Sequence, residues 1–193
     1  VGVVSDLAYG ALGYQGYENP SFLSTPGAKD VGIEFYTFSK TFNMAGWRLA
    51  FAAGNEQMIE ALNLIQDHLF VGIFPALQEA GIAALLDPKS EEAVAQLNAT
   101  YDSRRDAFVQ AAAKIGWQAF PSRGSFYAWM PVPEGYTSES FADLLLEKAH
   151  VAVAPGKGFG PAGDAYVRIG LLVEPERLVE AVDRIANLHL FNN

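Results

Sequence analysis

One short segment, TFSKTFNMAGWR at residues 37–48, concentrates side chains that could do chemistry. Lys40 lies between two hydroxyl-bearing neighbours, and Arg48 follows eight residues later at the start of another apolar run. Because only 13 lysines and arginines occur in 193 residues, a lysine in this setting suggests a reactive amine, although a lysine after a strand usually faces solvent. Thr37, Ser39 and Arg48 together offer hydroxyl donors and a planar cationic fork, a set that suits a phosphate group.

Two other segments place a charged side chain in or beside an apolar run. Asp6, in SDLAY, directly follows an apolar strand pattern, where an unpaired carboxylate is costly, and Tyr9 adds a phenol to the same loop. A cap for the next turn is the alternative role for Asp6. Arg168 lies within AYVRIGLL at residues 165–172, where it either extends from an edge strand to water or binds a carboxylate with its guanidinium.

Hydrophobic patterns predict the elements that must position these side chains. In the first half, strands are predicted at residues 2–5, 33–38 and 48–53, and helices from Asn55 to about His68 and from Pro75 to just before Asp87. A long helix is predicted from Ser90, its capping residue, to Gly116. The second half is an α+β pattern, with strands at 117–120, 125–131, 151–154 and 165–172 and helices at 138–149 and 175–190.

The amino-acid composition and the net charge argue against several classes of function. The net charge of −9 and the pI near 4.7 argue against nucleic-acid binding, which needs a positive surface. The absence of cysteine and the scattered positions of the three histidines predict no disulfide and no metal site, and they fit a reducing compartment. No apolar run reaches the roughly 18 residues of a membrane span, and the first residues, which do not begin with Met, show no signal-peptide pattern.

Three motifs in order resemble one family. The succession SDLAY, SKTFNMAGWR and PGKGFG…YVRIGL is similar to the pyridoxal-phosphate-dependent aminotransferases of classes I and II, the fold-type I enzymes, over nearly the whole chain. Within the family, the sequence SKTFNMAGWR is most similar to the diaminopimelate, aromatic and alanine aminotransferase branch. GFGPAG at residues 158–163 also matches the dinucleotide-binding pattern G-x-G-x-x-G, but a strand pattern follows it where that motif needs a helix.

The resemblance implies an α/β fold and a division into two domains. Residues 1–92 would form the last strands and helices of the large cofactor-binding domain. Residues 93–193 would form the small α+β C-terminal domain, including the long connecting helix. Because residue 1 already falls in the strand that carries Asp6, the chain is expected to be the C-terminal half of such an enzyme and to be inactive alone.

The resemblance also implies roles around the cofactor ring. Lys40 would form the Schiff base with the cofactor aldehyde and would then carry a proton between the substrate Cα and the cofactor. Asp6 would face the pyridine nitrogen and keep it protonated, so that the ring withdraws electrons. Tyr9 would donate a hydrogen bond to the phenolic oxygen of the ring.

The remaining implied roles concern anions. Thr37, Ser39 and Arg48 would bind the cofactor phosphate, and Arg168 would bind the α-carboxylate of the substrate.

The implied activity is transfer of an amino group between an L-amino acid and a 2-oxo acid by a cytoplasmic homodimer, with pyridoxal 5'-phosphate as cofactor. Neither a metal, nor a nucleic acid, nor a membrane partner is expected. Two alternatives remain open at this point. They are a pyridoxal-phosphate-dependent C–S lyase of the same fold and a non-catalytic sensor domain that keeps the cofactor pocket.

Overall fold

Two structural units divide the chain, residues 1–98 and residues 99–193. The computed structural model describes residues 1–120 and 122–191. The division falls inside the longest helix, Ser90–Lys114, which we label α5. This helix has the extent that the sequence predicts, and Gly116, with a left-handed φ of 82°, follows its end.

The first unit is built on a three-stranded sheet in the order β1-β2-β3. Its strands are β1 (Val3–Asp6), β2 (Gly32–Thr37) and β3 (Ala50–Gly54). Strand β1 runs parallel to β2, and β3 runs antiparallel to β2. The carboxyl ends of β1 and β2 and the amino end of β3 therefore meet at the same edge of the sheet.

Short helices and one long turn complete the first unit. They are α1 (Ala28–Val31), α2 (Phe38–Thr41), α3 (Glu56–Ile65), a π-helical turn (Gln66–Phe70) and α4 (Pro75–Leu86). The Asn55 side chain caps α3 by accepting a hydrogen bond of 3.0 Å from the backbone of Met58, as the sequence predicts. The α-helical part ends at Ile65, so the predicted extension to His68 is a π-helical turn instead.

The second unit packs helices against a three-stranded antiparallel sheet in the order β4-β6-β5. Its elements are β4 (Tyr127–Pro131), α6 (Ser138–Leu144) with a π-helical turn (Leu145–Ala149), β5 (Ala154–Pro155), β6 (Tyr166–Gly170) and α7 (Pro175–Ala186). Side chains alternate across the sheet with a period of two. One face therefore buries Ala128, Met130, Val167 and Ile169 in the core.

Two strand predictions in the second unit are wrong in extent or type. Residues 117–120 form no strand, because the Trp117 backbone N–H donates to Ala112 O at 2.9 Å and closes the end of α5. The Trp117 indole is buried in the core and its Nε1 donates to Pro131 O at 2.8 Å. The strand predicted at 151–154 is reduced to Ala154–Pro155.

The predicted cap of the long helix is also wrong. Ser90 is the first residue of α5, and its hydroxyl donates to Ala84 O at 2.6 Å. The preceding turn is held by Asp87, whose carboxylate accepts a hydrogen bond of 2.8 Å from the backbone of Lys89. Among the described residues, no helix is long and apolar enough to cross a membrane.

Candidate active site

The edge of the first sheet gathers most of the side chains that the sequence singles out. Asp6 ends β1 and is paired in register with Phe35, and the Leu7 backbone N–H that follows it donates to Phe35 O at 2.9 Å. Thr37 ends β2 and is paired with Ala50, so Arg48 lies just before β3 at this same edge. The topology thus brings the SDLAY loop, the SKT turn and Arg48 together.

A single helical turn presents Lys40. In α2, Phe38 and Thr41 are three residues apart and occupy the buried side. The Thr41 hydroxyl lies 2.7 Å from the Tyr36 phenol. Because these residues hold the inner face of the turn, Ser39 and Lys40 are left half-buried at its outer face.

The Lys40 amine lies beside Tyr9. Its Nζ is 5.9 Å from the centroid of the Tyr9 ring, within the distance at which a cation and a ring face attract. The amine and the phenol that the sequence proposes for one site are therefore neighbours in the structure.

Thr37 and Ser39 form a hydroxyl pair at the start of the same turn. Thr37 caps α2, because its Oγ1 accepts a hydrogen bond of 3.1 Å from the Ser39 backbone. The Thr37 hydroxyl in turn donates to Ser39 Oγ at 2.9 Å. The Thr37 hydroxyl is therefore engaged within the turn, and it orients the hydroxyl of Ser39.

Arg48 has an unusual backbone. Its φ of 54° and ψ of 43° lie in the left-handed region, which is unfavourable for a residue with a Cβ. The side chain is exposed and donates from Nη1 to Ala45 O at 3.1 Å. Residues with such a strained backbone are common at functional sites. There a strain energy of about 1–3 kcal/mol is tolerated because the backbone sets the direction of a functional side chain.

Glu34 organises the loop that precedes β2, and sequence reasoning missed it. Its carboxylate is only 7% exposed, and it accepts hydrogen bonds from Ser5 Oγ (3.0 Å), Ser21 Oγ (2.6 Å) and the Phe22 backbone (2.7 Å). The sequence feature that could have identified Glu34 is the presence of an acidic residue within the apolar strand pattern GIEFYT. It is the same signal that singles out Asp6, since a buried carboxylate requires hydrogen-bond donors.

Asn19 holds the SDLAY loop in a similar way. Its Nδ2 donates to the carbonyl oxygens of Tyr9 (3.0 Å), Gly10 (3.3 Å) and Leu12 (3.0 Å). Because three carbonyls of one turn share a single amide, the backbone that carries Tyr9 is fixed. No pattern in the sequence distinguishes this asparagine from an ordinary loop residue.

Arg168 lies in the second unit, on the half-buried face of β6. Its guanidinium carbon is 4.1 Å from the centroid of Tyr127 and 4.2 Å from that of Phe159. None of the ion pairs formed within residues 1–120 and 122–191 involves it. Its N–H groups can therefore bind an external carboxylate.

Comparison with known proteins places the chain in a family. The model of the class I and II aminotransferases matches residues 1–185. The L-glutamine–4-(methylsulfanyl)-2-oxobutanoate aminotransferase of Bacillus subtilis is 60% identical over 189 residues, which are 98% of this chain and 47% of that protein. The LL-diaminopimelate aminotransferase of Moorella thermoacetica is 48% identical over 95% of this chain and 46% of its own length.

Solved structures agree with this placement. A substrate-bound structure of BacF from Bacillus subtilis has a TM-score of 0.93 and 46% identity, covering 99% of this chain and 48% of its own. An aromatic aminotransferase from Pyrococcus horikoshii has a TM-score of 0.92 and 34% identity, covering 97% of this chain and 51% of its own. The chain therefore belongs to the class I and II aminotransferases, as the resemblance predicts.

Members of this family depend on pyridoxal phosphate, so the expectations of a transferase and of this cofactor are confirmed at the level of the family. The chain spans about half the length of the relatives it matches. The donor set at the sheet edge suits the cofactor chemically. It provides an amine for an aldehyde, a carboxylate for a ring nitrogen, a phenol for a ring oxygen, and hydroxyl and guanidinium donors for a phosphate. No cluster of metal-ligating side chains exists among the described residues.

Proposed function

We propose that the whole protein carrying this chain transfers an amino group between an L-amino acid and a 2-oxo acid, and that Lys40 is the residue that holds the cofactor. The observation that carries this proposal is the position of the Lys40 amine, 5.9 Å from the Tyr9 ring at the sheet edge where β1, β2 and β3 meet. At this edge, the loops next to Lys40 carry the Asp6 carboxylate, the Tyr9 phenol and the Arg48 guanidinium.

Three side chains around the ring have distinct tasks in this proposal. Bound pyridoxal phosphate would supply an electron-withdrawing ring for chemistry at the substrate Cα. Lys40 would hold the cofactor through Nζ, and the freed amine would remove and return the proton at Cα. Asp6 would keep a proton on the ring nitrogen, and Tyr9 would donate a hydrogen bond from its phenol to the ring oxygen.

The anion-binding side chains divide into two groups. Ser39 and Arg48 would contact the cofactor phosphate directly. Thr37 would act with them mainly by orienting the Ser39 hydroxyl, because its own hydroxyl already donates to Ser39. Arg168 would bind the α-carboxylate of the substrate through its in-plane N–H groups.

The substrate pair follows from the relative with 60% identity. We propose L-glutamine as amino donor and 4-(methylsulfanyl)-2-oxobutanoate as acceptor, the two compounds in the name of the Bacillus subtilis protein. Methionine formation from this pair, measured beside LL-diaminopimelate with 2-oxoglutarate, tests the choice. Release of ammonia and a thiol without any oxo-acid acceptor would instead establish the lyase alternative.

The attachment site is tested by chemical reduction. Borohydride treatment of the whole protein loaded with pyridoxal phosphate is expected to label the peptide that contains Lys40. Lys40→Ala should abolish the label, whereas Lys29→Ala, a change at an exposed lysine in α1, should leave it intact. A dominant label on another lysine would refute the assignment.

Larger-scale features belong to the same proposal. We assign residues 1–92 to the large cofactor-binding domain and residues 93–193 to the small C-terminal domain, close to the division at residue 98.

We propose a homodimer, supported by the apolar side chains that the segment around Phe70 and Phe74 exposes. The cysteine-free sequence supports a cytoplasmic location. Because this chain spans about half of its relatives' length, we expect no turnover from it alone.

A further inference from the structure

The outer face of the second sheet is aromatic around Arg168. Arg168 is paired in register with Trp129 of β4, so the two side chains share the face that points away from the core. Tyr127 and Tyr166 lie two residues along the same strands and so belong to that face, where the Trp129 and Tyr166 rings stack with centroids 5.5 Å apart. The guanidinium carbon lies 4.1 Å from the centroid of the Tyr127 ring on this face, and no carboxylate among the described residues forms an ion pair with it.

Phe159 is a further ring near Arg168, and it comes from outside the sheet. Its centroid is 4.2 Å from the guanidinium carbon, and it forms a T-shaped pair with Trp129 with centroids 5.8 Å apart. The ring is nevertheless 53% exposed to solvent. A large apolar side chain that is half exposed contributes little to the stability of the core. Core packing therefore does not explain why Phe159 lies against Arg168.

The loop that carries Phe159 is held rigidly at both ends. Gly156 and Gly163 approach so closely that a Cβ on Gly156 would lie 2.2 Å from Gly163 O, and a Cβ on Gly163 would lie 2.1 Å from Gly156 O. The Ser138 hydroxyl, which is fully buried, donates to Asp164 Oδ1 at 2.8 Å and accepts from the Lys157 backbone at 3.3 Å. A short loop fixed at both ends holds its central side chain in one position.

One ion pair adds to this anchoring. Lys157 Nζ lies 2.6 Å from Glu139 Oε2, at the first turn of α6. The hydrogen bond to Glu139 and the charge of its carboxylate raise the pKa of Lys157 above its ordinary value. Lys157 is therefore charged at neutral and mildly alkaline pH.

Rings against a guanidinium restrict how it can bind. Arginine stacks on aromatic faces through its flat sides, and its N–H groups all point outward in the guanidinium plane. When rings fix this plane, the donors are presented edge-on, which suits the two coplanar oxygens of a carboxylate. An arginine held in this way also loses less side-chain freedom when it binds.

We propose that Phe159 is a positioning residue for substrate binding, because it fixes the guanidinium plane of Arg168 so that the arginine binds the planar carboxylate of the amino or oxo acid. This inference rests on the proposed function of Arg168. It adds that the GKGFG segment, through its phenylalanine, sets the affinity for the carboxylate without touching the reacting atoms.

The test measures equilibrium binding in addition to turnover. The whole protein is loaded with pyridoxal phosphate and titrated calorimetrically with 4-(methylsulfanyl)-2-oxobutanoate in the absence of an amino donor, so that no turnover occurs. Phe159→Leu should raise the Kd about 3- to 10-fold, the range expected when the arginine side chain must lose its rotamer freedom on binding instead of before it. Phe159→Tyr should restore the Kd to within about twofold, since the ring face is kept.

Kinetics and a matched control separate positioning from a structural role. Phe159→Leu should raise KM for both substrates by a similar factor while kcat changes by less than about twofold. Phe120→Leu removes a ring that is equally exposed and contacts Tyr166 in the same unit, and it should leave Kd and KM unchanged. An equal rise in Kd for both leucine variants would overturn the inference.

Arg168→Gln distinguishes this inference from the function on which it rests. If Arg168→Gln raises the Kd more than about tenfold and Phe159→Leu does not change it, the proposed function stands and the role of Phe159 is refuted. If Arg168→Gln leaves the Kd unchanged, Arg168 does not hold the carboxylate, and both proposals fail at this residue. Should Phe159→Leu not fold, Phe159→Met provides the same loss of ring face with a flexible side chain.

Discussion

At the scale of single residues, the site combines groups that are ordinary alone and informative together. Lys40 and Tyr9 are neighbours, Thr37 orients Ser39, and Arg48 adopts a left-handed backbone. Each of these features has a structural explanation by itself. Their convergence at one sheet edge, in a chain of this family, supports the cofactor site proposed above.

Asp6 allows a test at this scale. Asp6→Asn should keep cofactor binding but lower kcat of the whole protein about 100- to 1000-fold, because an amide cannot hold a proton on the ring nitrogen by charge. A charge contact at about 4 Å with an effective dielectric of about 20 is worth about 4 kcal/mol, which sets the upper figure.

The control for this change is Asp30→Asn, which alters an exposed carboxylate in α1 of the same unit. Steady-state kinetics and the cofactor absorbance are measured on both variants. Turnover of Asp6→Asn close to that of the unchanged protein would contradict the role of Asp6.

At the scale of elements, the site depends on a parallel strand pair and on the loop that connects its strands. The connection between β1 and β2 contains little regular structure, yet buried polar contacts fix it at both ends. Glu34 binds its later part through Ser21 and Phe22, and Asn19 binds the turn that carries Tyr9. A loop without its own helix or strand therefore presents a phenol in a defined place.

Glu34 is the key residue of this arrangement, and its replacement gives an element-level prediction. Glu34→Gln should lower the free energy of unfolding by about 2 kcal/mol, because the hydrogen bonds from Ser5, Ser21 and Phe22 lose the carboxylate charge that strengthens them. The change should also weaken cofactor binding, since the loop bearing Tyr9 loses an anchor.

Urea unfolding and pyridoxal phosphate titration of the whole protein measure the two effects. Glu18→Gln, at an exposed position in the same loop, provides the control and should alter neither quantity. An unchanged unfolding free energy for Glu34→Gln would show that its three hydrogen bonds contribute no net stability.

At the scale of the whole molecule, the chain carries two units and an exposed apolar segment between α3 and α4. Leu69, Phe70, Val71 and Phe74 are exposed within the chain, and Val71 adopts a left-handed φ of 63°, which is strained for a β-branched residue. Apolar segments of this kind mark interaction surfaces, which supports the homodimer proposed above.

Light scattering tests this expectation. The whole protein should be a dimer at micromolar concentration, and Phe70→Ser combined with Phe74→Ser should shift it toward the monomer by removing apolar area from the interface. Leu172→Ser, at an exposed apolar position of the second unit, should leave the dimer intact. A monomeric unchanged protein would refute the proposal.

The sequence by itself determined the family and the order of the main elements, and it singled out the side chains that we propose to be reactive. Lys40, Asp6 and Arg168 stand out because charges beside apolar runs are costly, and Asn55 and Gly116 mark two of the helix ends. Tertiary structure alone decided which residues support them. The roles of Asn19 and Phe159 depend on contacts between segments distant in sequence, and Trp117 closes a helix instead of starting a strand because the core needs its ring. Local sequence patterns do not specify contacts between distant segments. The roles of these residues could therefore be identified only from the folded structure.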